Sequence, residues 1–255
     1  MQKALRQSKA FFQRSMYMQE RRKKKSAPAA VCAVIVAAGS SRRMGGENKL
    51  LLPLAGAPVL AHTLNAFEKC AVVRDIVLVC REQDIMPYTD LARSFGISKL
   101  RTVTRGGDSR TASVLAGITA APEDTVLVAV HDGARPLVSE AVITEAVYAA
   151  AECGAAAPVV PVKDSIKRIE NGCIVADVPR DTLAAVQTPQ VFRRDVLLRA
   201  LTDAQRNDRS FTDDCAAVEA LGQTVRATHG SYENIKITTP EDIPAAEAFL
   251  NREDD

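Results

Sequence analysis

The sequence predicts an α/β fold in which a mainly parallel sheet is covered by helices on both faces. Three observations carry that expectation. Val31 to Val36 is a short apolar run rich in β-branched residues, as in a strand buried on both sides. From there, apolar runs alternate with amphipathic segments joined by short loops. Residues 165–178 then break the rhythm with two β-like runs around Asn171-Gly172, the mark of an inserted hairpin.

The elements follow in order. After the first strand, Pro58 to Cys70 has apolar residues at helical spacing, with proline well placed for a first turn. Asp75 to Cys80 reads as a strand, Ile85 to Phe95 as a weaker helix and Leu100 to Thr104 as a strand. Asp108 to Ala120 is helical, and Thr125 to Val130 is a strand. Ser139 to Cys153 is a helix capped by Ser139, and Ala155 to Val160 is a strand. The hairpin pairs Ser165 to Ile169 with Cys173 to Val178. Beyond it come a strand at Ala184 to Gln187 and helices at Phe192 to Gln205 and Asp213 to Leu221. Gln223 to Thr228 and Ile235 to Thr238 read as strands, and Glu241 to Asn251 closes as a helix.

A chain of 255 residues with this rhythm suits one domain, residues 30–251, preceded by a tail. Residues 1–25 hold nine Lys/Arg and one Glu, so the net charge of +2 leaves the rest of the chain at −6. Residues 1–29 read as a disordered or partly helical tail, a transit peptide, or a tether to nucleic acid or membrane. The acidic body and the absence of tryptophan argue against a nucleic-acid partner. No apolar stretch reaches the roughly 18 residues of a membrane span. Six scattered cysteines form no C-x-x-C pair, which disfavours a zinc or redox site and fits a reducing compartment.

Ligands of open α/β sheets bind beyond the carboxyl ends of the strands. The first strand is followed by Ala37, Ala38 and Gly39, small residues that let phosphate approach the backbone, then by Arg42, Arg43 and Lys49. Later strands deliver Gly106, Gly107, Asp108, Arg110 and Ser113, then His131, Asp132 and Arg135. Thr188 and Lys236 follow the last ones. A rim rich in cations suits a polyanionic substrate such as a nucleoside triphosphate. Asp132 could face a magnesium ion that bridges phosphates, or it could cap a helix or pair with Arg135. No Walker A motif is present, and no G-x-G-x-x-G follows the first strand.

The stretches AAGSSRRMG, GGDSRTASVLAG, VHDGARP, PVKDSIK, TPQVF, FTDD and NIKIT occur in this order. In that order they resemble the 2-C-methyl-D-erythritol 4-phosphate cytidylyltransferase family, over about Val31 to Leu250. The resemblance implies a Rossmann-like nucleotidyltransferase fold and a homodimer whose hairpin arm, about residues 161–182, embraces the partner. It implies transfer of a cytidylyl group from CTP to a sugar-alcohol phosphate, with Mg²⁺ held mainly by the CTP phosphates, in the bacterial cytoplasm. A plastid location follows instead if the tail is a transit peptide. Ala37, Ala38, Gly39, Gly107, Asp108 and Ser113 would hold the cytidine and ribose, with Arg110 among the substrate-binding residues. Arg43 and Lys49 would stabilise the transition state at the α-phosphate. Asp132 and Arg135 would lie beside the sugar phosphate and the metal. Arg180, Thr188 and Lys236 would position the acceptor, with Ser165 beside it. Arg180 sits in the arm and could serve the partner's site.

Two positions depart from the family pattern. Asn48 precedes Lys49 where proline is usual, which predicts a looser loop, and Ser165 follows Asp164 where threonine is usual, keeping the hydroxyl. The nearest rival is ribitol-5-phosphate cytidylyltransferase. Arg180, within VPRDTL, favours methylerythritol phosphate as the acceptor.

Overall fold

A computed structural model describes residues 30–39 and 48–251. The basic tail, Arg42 and Arg43 lie outside the described residues. The central sheet has eight strands, seven of them in the order β10-β7-β11-β6-β1-β4-β5, with β12 also paired to β7. The strands are β1 (Val31–Ala37), β4 (Asp75–Cys80), β5 (Leu100–Arg105), β6 (Leu127–Asp132), β7 (Ala155–Pro161), β10 (Ala184–Val186), β11 (Gln190–Arg193) and β12 (Arg226–His229). β1 pairs in parallel with both β4 and β6.

Alternation along β1 explains why the first apolar run is continuous. Val31, Ala33, Ile35 and Ala37 face one core, while Cys32 and Val34 face the other. On the first face pack α1 (Val59–Lys69), α2 (Ile85–Ser94), α4 (Glu140–Cys153) and α7 (Asp242–Leu250). On the second pack α3 (Arg110–Ala120), α5 (Arg194–Arg206) and α6 (Asp214–Glu219). A strand that contributes to two cores has no polar face to show.

Ser139 caps α4 as expected, its Oγ accepting from the Val142 N–H at 3.4 Å. The hairpin forms as a separate two-stranded sheet, β8 (Ile166–Glu170) with β9 (Cys173–Val178). Asn171 and Gly172 have φ of 49° and 78°, the positive pair that a tight hairpin turn requires.

Three readings change. Gln190 to Arg193, read partly as helix, is a strand, antiparallel to β6 and β7 in mid-sheet. Its four residues are too few for a periodic signal. Ile235 to Thr238 is not a strand. It has no regular structure and is fixed by the Ile237 N–H donating to the Ala134 carbonyl at 2.8 Å, with Ile237 buried. A small ladder, β2 (Pro53–Leu54) with β3 (Ala57–Pro58), was not anticipated.

Candidate active site

Strand order reverses at β1, since the chain passes outward through β4 and β5 and then returns to β6 on β1's other side. A crevice opens beyond the strand tips at such a point. Here a cavity of about 580 Å³ opens over the ends of β1 and β6. Ala37, Ala38, Gly39, Lys49, Gly107, Asp108, Arg110, Ser113, Asp132 and Lys236 all line it. These ten sequence-predicted residues come from four separate stretches of chain, and topology alone brings them together.

Asp132 is the hub of the cationic wall. Its Oδ1 accepts from Arg110 Nη1 at 3.0 Å, and its Oδ2 lies 3.0 Å from Lys236 Nζ and 3.4 Å from Arg135 Nε. Burial alone would raise the Asp132 pKa, but Lys236, Arg110 and Arg135 outweigh it and hold the carboxyl well below the usual range. Arg110 is half-buried. Desolvation works against its charge, while Asp214 and Asp132 keep it protonated.

Lys49 lines the cavity, its Nζ donating to the Ile237 carbonyl at 2.7 Å. Its segment is more tightly held than the Asn48 departure suggested. Asn48 accepts the Leu51 N–H through its carbonyl, and its side chain bonds the Tyr88 hydroxyl. The first N–H groups of α1, on Val59 and Leu60, donate to the carbonyls of Leu52 and Leu50. A helix start usually leaves such donors to a capping side chain, and α1 has none. The lysine segment serves as its cap.

Two further predicted residues, Arg135 and Thr188, bond Asp132. Arg135 sits behind the Asp132 carboxylate, donating to it and, from Nη1, to the Asn234 carbonyl at 2.7 Å. Thr188 is buried and orients β6: its hydroxyl accepts from the Asp132 N–H at 3.2 Å and contacts His131 Nδ1 at 2.9 Å. Ser165 and Arg180 lie in the exposed arm, where Arg180 donates to the Lys163 carbonyl at 2.6 Å. Neither lines this cavity.

Sequence reasoning missed Asp214 and Gln190. Asp214 takes the second arm of Arg110, Nη2 to Oδ2 at 2.8 Å, at 2% side-chain exposure. Gln190 Oε1 accepts the N–H groups of Asp214 and Cys215, and its Nε2 donates to Asp213. The signal was the Asp213-Asp214 pair opening a helix, where one carboxylate caps and the other is free to turn inward.

A cavity lined by small residues, a fixed carboxylate and the cations Lys49, Arg110 and Lys236 can bind a polyanion. It can also stabilise added negative charge without moving its own groups.

Comparison with known proteins agrees with that chemistry. The model of the 2-C-methyl-D-erythritol 4-phosphate cytidylyltransferase family matches residues 31–252. A protein of that name from Desulforamulus reducens is 47% identical over 212 residues, covering 82% of this chain and 91% of the relative. The solved 4-diphosphocytidyl-2C-methyl-D-erythritol synthase of Anaerococcus prevotii superposes with a TM-score of 0.79 at 30% identity, over 88% of this chain and 97% of that one. The Thermus thermophilus cytidylyltransferase superposes at 0.72 with 32% identity, over 86% and 98%.

Proposed function

The chain belongs to the 2-C-methyl-D-erythritol 4-phosphate cytidylyltransferase family. It transfers a cytidylyl group from CTP to 2-C-methyl-D-erythritol 4-phosphate, and on that premise we propose how its side chains carry the reaction. The products are 4-diphosphocytidyl-2-C-methyl-D-erythritol and pyrophosphate, in the non-mevalonate isoprenoid route. The relatives carry the methylerythritol name, so the ribitol 5-phosphate reading is not favoured.

The observation that carries the proposal is the shared cavity of Lys49, Arg110, Asp132 and Lys236. Ala37, Ala38, Gly39, Gly107, Asp108 and Ser113 form the nucleotide floor. Lys49 faces the α-phosphate, a role the family resemblance also gives to Arg43. Lys236 faces the acceptor, with Arg110 and Arg135 fixing the Asp132 carboxylate between them.

The attacking group is a phosphate monoester whose second pKa is about 6, so it is largely dianionic near neutrality and needs no general base. One of its oxygens bonds to the α-phosphorus as the bond to pyrophosphate breaks, and the electron pair leaves with pyrophosphate. What limits such a step is repulsion between two anions and their alignment. Lys49 and Lys236 supply relief and direction together.

Among the described residues no group of three or more His, Cys, Asp or Glu could hold a metal. Both Asp132 oxygens already face cations. A Mg²⁺ brought by the triphosphate would be held mainly by the CTP phosphates, with Asp132 as a carboxylate of the cavity wall able to assist. Bound there, it would offset charge on the phosphates.

The arm supports a homodimer. A two-stranded hairpin is marginal alone in water, and Ile169 and Ile174 are 57% and 68% exposed on this one. Arg180 and Ser165 would then reach the partner's acceptor site. The six cysteines are all free, which supports a cytoplasmic setting. No described helix is long and apolar enough to cross a membrane.

Turnover with CTP and each acceptor tests the assignment. Methylerythritol phosphate should be consumed at a rate far above ribitol 5-phosphate, and the reverse order would refute it.

A further inference from the structure

We propose that Tyr88 is a positioning residue for the reaction, acting on Lys49 through the side chain of Asn48. The inference rests on the assignment of Lys49 to the α-phosphate given above.

Tyr88 lies on α2, is fully buried and contributes no atom to the cavity. Its ring packs in the core that β1 and β4 share with α1. Packing alone would be served as well by phenylalanine. The hydroxyl is the unexplained part, because burying a phenol is unfavourable unless its oxygen finds a partner. That partner is the amide of Asn48: Asn48 Nδ2 donates to the hydroxyl at 2.9 Å, and the hydroxyl lies 3.1 Å from Asn48 Oδ1. Burial pushes the phenol pKa up to about 12, so it stays a neutral donor near neutral pH.

The same Oδ1 accepts the Leu50 N–H at 3.3 Å. One amide thus ties the backbone on both sides of Lys49 to a rigid point in the core. From there the lysine side chain lines the cavity and donates to the Ile237 carbonyl. Asn48 stands where the family pattern usually has proline, which stiffens a chain by fixing φ. In this chain an amide anchored to Tyr88 does the same work by hydrogen bonding.

Tyr88→Phe keeps the ring and removes the anchor. Asn48 is only half buried, so water can satisfy its freed amide, and the fold should hold. Misplacing a catalytic group by a fraction of an ångström lowers a rate steeply, so kcat of Tyr88→Phe should fall about tenfold while both KM values stay within about twofold. Asn48→Ala should show the same split, and the double variant should lose no more than either single one.

The decisive readout is the Lys49→Ala background. There Tyr88→Phe should cause no further loss of kcat, because the group it positions is gone. A merely structural tyrosine would lower the melting temperature and cut turnover equally in both backgrounds. Wild-type kcat in Tyr88→Phe, or a tenfold loss that persists without Lys49, overturns the proposal. Near-normal turnover of Lys49→Ala alone would instead remove the premise, and the two failures are distinguishable.

Discussion

Lys236 Nζ lies 3.0 Å from Asp132 Oδ2, joining the irregular segment after β12 to the tip of β6. The contact closes one wall of the cavity with charges that compensate each other until an anionic substrate arrives. Asp132 is 7% exposed and faces three cations. Removing one partner of such a buried network typically costs about 3 kcal/mol, because the remaining charges are left uncompensated. Asp132→Asn should lower the urea-unfolding free energy by about that amount and suppress turnover as well. Unchanged stability would mean that the cations are hydrated independently of the carboxylate.

The arm gives a second expectation. Ile174→Asp places a charge on the exposed face of β9, where a second copy would pack. Sedimentation equilibrium should find the wild type dimeric and the variant monomeric at micromolar concentration. A monomeric wild type, or a dimeric variant, removes the arm from assembly.

His131 makes the fold acid-sensitive. It is fully buried, and desolvation depresses its pKa to about 4. The Thr188 hydroxyl contacts Nδ1, and the Arg135 carbonyl accepts from Nε2 at 3.1 Å, an arrangement that suits the neutral ring. Above about pH 6.5 neither the folded nor the unfolded chain protonates this group. Between 6.5 and 4 only the unfolded chain takes the proton, so stability falls as the pH falls. The loss from this group is about 3 kcal/mol in all. Imidazole NMR should show His131 unprotonated at pH 5, with a reduced unfolding free energy relative to pH 7. A titration midpoint near 6.5 would contradict this.

Gly117 on α3 faces the sheet so closely that an added Cβ would meet Val34 Cγ1 and come within 2.9 Å of Val79 Cγ2. Alanine is favoured in a helix by about 1 kcal/mol, but overpacking a rigid core costs about 1–3 kcal/mol. Both contacts are β-branched valines on buried strands, which have little room to turn. Gly117→Ala should therefore lower the melting temperature, and a rise would show that the sheet yields.

Much of this was legible before any coordinates. The continuous apolar run of β1 already implied two cores, because its odd and even residues both needed burial. Most cavity residues were legible because they follow strands, and sheet topology does the rest; Lys236 reaches the cavity from a segment read as a strand that forms none. What stayed hidden depends on distant partners. Gln190 to Arg193 is a strand only because β6 and β7 leave a gap for it, and four residues carry no period. Asp214 matters only because Arg110 lies opposite, and the Asp213-Asp214 pair that opens its helix does not say which cation it will meet. Asn48 looked like a loosened proline site until Tyr88, from another helix, supplied its anchor.

The central claim is that cations from separate stretches of the chain, Lys49 at the α-phosphate and Lys236 at the acceptor, act together in one cavity. Single-turnover rates of Lys49→Ala at saturating CTP and methylerythritol phosphate, with thermal unfolding measured alongside, test it most directly. Since electrostatic stabilisers of this kind are worth about 100-fold or more in rate, the variant should be slower by at least that factor, with an unchanged melting temperature. A rate within about twofold of wild type would contradict the account.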